Sequence, residues 1–227
     1  MRENNMNLNK KVWTNQSNNH MYEDMPIKFF EDVAAQGGLD DCCDLKSIDH
    51  YIKPARSVLE VGAGYGRVLS YITKTYNKNH LSGIERNEKL YKFLVTKFPH
   101  VKIILADINN FKAESKFDLI LWMWGGLSEF SQYEQLHTFS KLISNLDKNG
   151  YLIFDTILPD CKTIQANNLN DGNYVIQTEY GNDFIYLPSE QEISDYVKKL
   201  NVHLVEKIIY ATKTKKKRHL YVLTAKN

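Results

Sequence analysis

The stretch that most constrains this chain is VLEVGAGYGRVLSYI, residues 58–72, where an apolar run passes through Gly62, Gly64 and Gly66 straight into a helical pattern. Glycines there permit a tight strand-to-helix turn and let a ligand approach backbone that a Cβ would block. The helix start behind them offers unsatisfied N–H groups. A strand feeding a helix in this way needs neighbours on both sides, which directs attention to alternation along the rest of the chain.

That alternation is present. Short β-rich or apolar runs at 57–61, 80–84, 102–105, 117–122 and 151–155 predict strands of the kind buried in a parallel sheet, and helical stretches fall at 65–76, 87–97 and 131–146. A β-α-β-α order implies a doubly wound sheet with helices on both faces, with ligands gathering at the carboxyl ends of its strands. After Asp155 the runs 174–180 and 183–187 predict a hairpin around Gly181-Asn182. Ser189, with Pro188 before it and Glu192 three places on, predicts a capping box ahead of Ile193, Tyr196 and Leu200. Strands at 202–210 and 219–225 close the chain. Ahead of the sheet, the first twenty or so residues read as a flexible arm. Ile27, Phe29, Phe30 and Val33 mark a helix over 25–35 that Gly37-Gly38 would end, and a second short helix passes through Leu45, Ile48 and Tyr51 before Pro54. Residues 1–53 are therefore expected to be an arm and helical cap, and residues 54–227 the main domain.

Spacing within the glycine stretch discriminates between ligands. A dinucleotide fingerprint, G-x-G-x-x-G, needs its last glycine where this chain has Arg67, and Gly66 falls one place early. NAD and FAD are disfavoured. Glu60-Val61-Gly62-Ala63-Gly64-Tyr65-Gly66, an acid two places before G-x-G-x-G, resembles motif I of the Rossmann-like S-adenosylmethionine-dependent methyltransferases. The resemblance covers roughly residue 56 to the C-terminus. It implies a seven-stranded, mostly parallel sheet with an antiparallel last strand, here with an N-terminal helical cap and a hairpin insertion after strand five, and S-adenosyl-L-methionine as cofactor. It also implies that Glu85, nineteen residues after Gly66, is the ribose ligand, followed by Arg86, and that Asp107 and Ile108 meet the adenine. Trp122-Met123-Trp124-Gly125-Gly126-Leu127, after strand four, would line the pocket floor. The cofactor-binding set is then Glu60, Gly62, Ala63, Gly64, Gly66, Glu85, Arg86, Asp107, Ile108, Trp122 and Met123. In related small-molecule enzymes helices before the first strand cover the pocket, making Trp13, His20, Tyr22, Phe29 and Phe30 lid candidates.

The acceptor is constrained mainly by exclusion. The chain has no Asn/Asp-Pro-Pro-aromatic run after strand four, as methylation of exocyclic base amines needs. Cys42, Cys43 and Cys161 fit neither a pyrimidine-attacking nucleophile nor a metal or disulfide spacing, and Asp155 alone makes no metal site. Charge is nearly balanced, 29 basic against 27 acidic residues. The basic run Lys213, Lys215, Lys216, Lys217 and Arg218 reads as a solvated hairpin tip, so a nucleic-acid partner is disfavoured. An Asn-rich N-terminus without an apolar signal core, and no run of about 18 apolar residues, read as cytoplasmic. The expectation is a small-molecule N- or O-methyltransferase, with a protein or RNA methyltransferase, a non-catalytic cofactor-binding protein or a misread dehydrogenase as alternatives. Among proton acceptors, Tyr22, Glu129 and His137 are the catalytic candidates, beside His20 and Asp155. His137, near Leu136 and Phe139, reads more readily as a structural histidine.

Overall fold

Five apolar runs pair in parallel, and two further strands extend the sheet. The computed structural model describes residues 13–157 and 167–226. In chain order a 3-10 turn, Asn15–Asn18, leads into helices α1 (Asn19–Asp24), α2 (Ile27–Gly37), α3 (Cys43–Ser47) and α4 (Asp49–Ile52). The alternating part runs β1 (Ser57–Val61), α5 (Arg67–Thr75), β2 (His80–Glu85), α6 (Glu88–Lys97), β3 (Lys102–Leu105), β4 (Phe117–Trp122), a 3-10 turn at Gly126–Glu129, α7 (Gln132–Ser144) and β5 (Leu146–Thr156). Then come β6 (Asn167–Asn170), β7 (Asn173–Thr178), β8 (Gly181–Tyr186), α8 (Glu190–Lys199), β9 (Val202–Ala211) and β10 (Lys217–Ala225).

The main sheet has seven strands in the order β3-β2-β1-β4-β5-β10-β9, with β10 antiparallel to both neighbours. The order reverses between β1 and β4, and the crevice at their carboxyl ends is where doubly wound sheets take ligands. Both faces are covered, which is why β4 from Leu119 to Trp122 reads as an uninterrupted apolar run. Its Leu119 and Leu121 face one core cluster with Leu69, Ile72 and Ile52, and its Ile120 and Trp122 face another with Phe139, Leu142 and Phe154. Each fully buried side chain of this size contributes ~1.5–3 kcal/mol.

Helix starts follow their caps. Ser131 and Glu134 form a reciprocal box at α7, Ser189 and Glu192 do the same at α8, and the Asn87 side chain accepts from Leu90 N–H at 3.1 Å to start α6. Helix α5 has only Gly66 at its N-cap, and Glu60 of β1 does the capping from beneath: its Oε2 accepts the Leu69 N–H at 3.1 Å. Burial holds the Glu60 carboxyl well above its usual range, against the pull of Arg67 and the Leu69 N–H.

Four expectations need correction. Residues 13–24 do not read as a free arm: Asn18 is fully buried and exchanges two hydrogen bonds with the backbone of Phe184 in β8, at 2.9 and 3.0 Å. The polar composition of this stretch hid side chains that bond to a partner strand rather than to water. The expected helix through Ile48 is two short helices, α3 and α4, meeting at that residue. The hairpin turn lies at Glu179-Tyr180, and Gly181 opens β8 with φ 135° and faces Thr178. A third strand, β6, joins that hairpin; its Asn-rich sequence carries no strand pattern, and pairing to β7 creates it.

Candidate active site

Above the β1–β4 crevice the glycine turn stands open. Gly62 and Gly64 take φ 67° and 54°, and a Cβ built on Gly62 would meet nothing within 4 Å, on Gly64 only the Gly62 carbonyl at 3.9 Å. Gly66 differs. A Cβ there would lie 2.4 Å from Phe98 Cε2 and 2.9 Å from Leu94 Cδ2, so this glycine lets α6 pack against the turn and offers no surface to a ligand. Ala63 is buried, and its N–H donates to the Ile84 carbonyl at 2.9 Å, tying the turn to β2.

Glu85, at the tip of β2, reaches across to this cradle. Its Oε2 accepts the Gly64 N–H and its Oε1 the Asn87 N–H, both at 2.8 Å. Burial raises the Glu85 carboxyl, while those two N–H bonds work to lower it. Each oxygen keeps a second lone pair, so a diol laid over Gly62 and Gly64 has an acceptor beside it. Asp107, half-buried, accepts the Asn109 N–H at 2.8 Å through Oδ1, a turn contact that leaves Oδ2 for a ligand, whereas the Ile108 side chain is packed in the core.

The aromatic residues after β4 divide differently from the expectation. Trp122 is 1% exposed, packs edge-on to Phe130 and Phe139 at 5.4 and 5.5 Å between ring centroids, and so belongs to the core rather than to a pocket wall. Met123 is buried in the opposite cluster. Strand alternation sends Trp122 inward, and Trp124, at φ 56°, turns out beside Tyr65 of the glycine turn, 6.0 Å away edge-on.

Next to the cradle is a second set of polar groups drawn from four parts of the chain. Glu129, just past β4, accepts the Tyr22 hydroxyl on Oε1 and the Asn18 amide on Oε2 at 3.0 Å, and Arg86 Nη2 stands 3.9 Å from that same Oε2. Asp183 of β8 faces the same group. Its carboxyl is held well above the usual range by burial and then by Glu129, with Arg86 opposing. Tyr22 is likewise raised well above the ordinary phenol value by burial, then by Asp183 and Glu129. It stays protonated and acts as a donor to Glu129, not as the base that the sequence offers. Cap and insertion meet over this set: Tyr22 stacks on Phe30 at 5.9 Å, Phe29 meets Tyr180 edge-on at 5.1 Å, and Trp13 stacks on Phe184 at 6.2 Å and donates from Nε1 to Asn173 at 3.0 Å.

Two remaining candidates are placed elsewhere. His137 is on the exposed side of α7, because the buried stripe of that helix is Gln135, Thr138, Phe139 and Leu142. Asp155 is fully buried and committed: Arg218 Nε donates to it at 2.6 Å, Tyr210 at 3.2 Å and the Gly125 N–H at 2.8 Å. Arg218, expected at a solvated tip, is therefore a core residue of β10, Lys217 opens that strand opposite Ala211, and only Lys213, Lys215 and Lys216 belong to the turn. Sequence reading also missed Asp44, which pairs in buried bidentate fashion with Arg67 at 2.6 and 2.9 Å and pins α3 to the start of α5. The His20 side chain and Cys161 lie outside the described residues. Among the described residues no cluster of His, Cys, Asp and Glu could hold a metal ion, and no helix is long and apolar enough to cross a membrane.

A family model described as a methyltransferase domain matches residues 58–150. N-methyltransferase 4 of Papaver somniferum is 29% identical over 105 residues, 43% of this chain and 28% of the relative. The chain spans from 28% to 50% of the length of the curated relatives it matches. Among solved structures, an S-adenosylmethionine-dependent methyltransferase from Clostridium acetobutylicum ATCC 824 superposes with a TM-score of 0.62 at 13% identity, covering 93% of this chain and 97% of that one. The glycopeptide N-methyltransferase MtfA, complexed with S-adenosyl-L-homocysteine, gives 0.66 at 11% identity over 82% and 90%. At these identities the superpositions speak for the fold.

Proposed function

We propose that this chain, matched by a methyltransferase-domain model over residues 58–150 and sharing the fold of S-adenosylmethionine-dependent methyltransferases, binds S-adenosyl-L-methionine over Gly62 and Gly64 and methylates an N or O atom of a small molecule. The observation that carries this is the open cradle above those two glycines with the Glu85 carboxylate bonded beside it. Glu85 would take the ribose hydroxyls, Asp107 the adenine amine, and Gly62 and Gly64 the methionine part of the ligand. Arg67, where a dinucleotide fingerprint has glycine, is locked to Asp44, which supports the adenosyl ligand over NAD. Residues 13–53 act as the cap of a domain that begins at about residue 54.

When bound, S-adenosylmethionine supplies an electrophilic methyl group on a sulfonium. The residues here have the tasks of holding the acceptor in line, excluding water and taking a proton. The cap and the insertion provide the enclosure, since Tyr22, Phe29 and Trp13 reach residues of the insertion or of the turn after β4. Small-molecule acceptors fit this covered site, and relatives named as N-methyltransferases support the same class.

Calorimetric titration with S-adenosylmethionine, S-adenosylhomocysteine and NAD in parallel tests the reading. Micromolar binding of both adenosyl ligands and none of NAD is expected. NAD binding alone would return the glycine turn to a dehydrogenase.

A further inference from the structure

The groups beside the cradle do not balance one another. Glu129 and Asp183 are two carboxyl groups facing one guanidinium; burial and the neighbouring Glu129 disfavour the ionised form of Asp183, and the phenol of Tyr22 stays neutral. Arg86 reaches Glu129 only at 3.9 Å, and its Nη1 is closed off from solvent with no hydrogen-bond partner among the described residues. Asp183 Oδ1 is in the same condition. Arg218 is met by Asp155, which Tyr210 and Gly125 also bond, and Arg67 is paired through both Nη atoms with Asp44, so each has a carboxylate at hydrogen-bond distance that Arg86 lacks. An unmet carboxylate oxygen shielded from water is costly unless a ligand completes it.

Position makes that ligand the methyl acceptor. Arg86 directly follows Glu85, which is bonded to the glycine turn, and Glu129 lies five residues beyond Trp124, which faces Tyr65 of that turn. The four side chains come from α1, the tip of β2, the turn after β4, and β8, so they ring the carboxyl edge of the sheet. Resting on the methyltransferase reading above, we infer that Glu129 and Asp183 form the acceptor subsite and that the acceptor is a small cationic amine, received as its ammonium. An anionic acceptor would be repelled by Glu129 and would disfavour ionisation of Asp183 further. A neutral alcohol has one donor to give, whereas an ammonium offers three donors to oxygens that need them and favours ionisation of Asp183 beside Glu129.

The chemistry closes on these groups. The ammonium gives one proton to a carboxylate of the pair. The freed nitrogen lone pair then forms the new N–C bond as the methyl-to-sulfur bond breaks, yielding a methylated ammonium and a neutral thioether. The carboxylic acid passes its proton to solvent and is restored. Tyr22 and Asn18 are positioning residues that hold Glu129 through its two oxygens.

The test uses the whole protein saturated with S-adenosylhomocysteine and probes it with matched pairs, cyclohexylamine against cyclohexanol and benzylamine against benzyl alcohol, by calorimetry and thermal shift at neutral pH. Amines are expected to bind more tightly than their alcohols. Asp183→Asn and Glu129→Gln should each weaken amine binding by about tenfold or more, with S-adenosylhomocysteine affinity intact. Amines that gain nothing over alcohols, or an amine preference that survives both substitutions, would overturn the inference. Failure to bind S-adenosylhomocysteine would instead sink the methyltransferase reading, so the two failures are distinguishable.

Discussion

Two glycines of one turn, two residues apart from Gly64 on either side, should fail in opposite ways when given a methyl group. Both Gly62 and Gly66 have positive φ, 67° and 80°, so Ala at either position carries ~1–2 kcal/mol of left-handed strain. At Gly62 that is the whole structural cost, because the new Cβ meets no protein atom within 4 Å. At Gly66 the Cβ drives into the Phe98 ring at 2.4 Å and Leu94 at 2.9 Å, adding ~1–3 kcal/mol of overpacking. The totals are ~1–2 kcal/mol for Gly62→Ala and ~2–5 kcal/mol for Gly66→Ala. At about 2–4 °C per kcal/mol for a chain of this length, the second variant should melt ~4–20 °C below the parent and the first ~2–8 °C below. Binding should rank the other way. A methyl group standing in the ligand's space at Gly62 should cost S-adenosylhomocysteine at least about tenfold in affinity, the equivalent of 1.4 kcal/mol. Gly66→Ala, titrated well below its melting point, should bind nearly as the parent does. Circular dichroism melts and calorimetric titrations read the two effects separately. Equal destabilisation in both variants, or lost affinity in folded Gly66→Ala with Gly62→Ala unaffected, would refute the division of the turn into a ligand face and a packing face.

Three further outcomes follow from the ion pairs and the helix faces. Asp44→Asn strands the buried Arg67 guanidinium and should cost ~3–5 kcal/mol in urea unfolding, and a loss under about 1 kcal/mol would show that the pair is not shielded from water. Asp183→Asn should raise the melting temperature of the ligand-free protein at neutral pH. A carboxyl whose folded pKa lies above its unfolded value of 3.8 destabilises as pH rises past 3.8, so the gain should shrink on acidification toward that value, and a pH-independent gain would count against a buried charge there. His137→Ala should leave both methyl transfer and melting temperature unchanged, and a fall in kcat would restore the histidine as a candidate.

The parallel sheet was legible because its signals are local. An apolar run such as 117–122 identifies a strand covered on both faces, and Ser189 with Glu192 identifies a helix start three residues wide; the capping box and β4 are both where the sequence places them. The same locality explains the errors. Trp122 and Trp124 look equivalent in sequence, and only the direction of the strand's last residue separates a core ring from one beside the glycine turn. In the basic run, Lys213 to Lys217 and Arg218 carry the same sign, yet the pairing of β10 with β5 sets Leu220 opposite Asp155 and brings Arg218 onto that buried carboxylate. His137, near Leu136 and Phe139, reads as a structural histidine, but the 3.6-residue period of α7 turns it to solvent.

Cofactor and acceptor are served by different kinds of sequence information. Glu60, Gly62, Gly64 and Glu85 lie within 26 residues and are fixed by one β-α-β unit, so their spacing alone carries meaning. The proposed amine subsite has no such unit: Asn18 contacts Glu129 across 111 positions and Phe184 across 166, and Asp183 arrives on a hairpin inserted after β5. No periodicity joins residues brought together by a cap and an insertion meeting over the sheet. The division has a physical consequence, since the cap and the hairpin can change in sequence without touching the β1–β2 register that holds the glycine turn and Glu85. On the proposed assignment, acceptor choice is accordingly a property of Tyr22, Glu129 and Asp183, while cofactor choice is a property of the sheet beneath them.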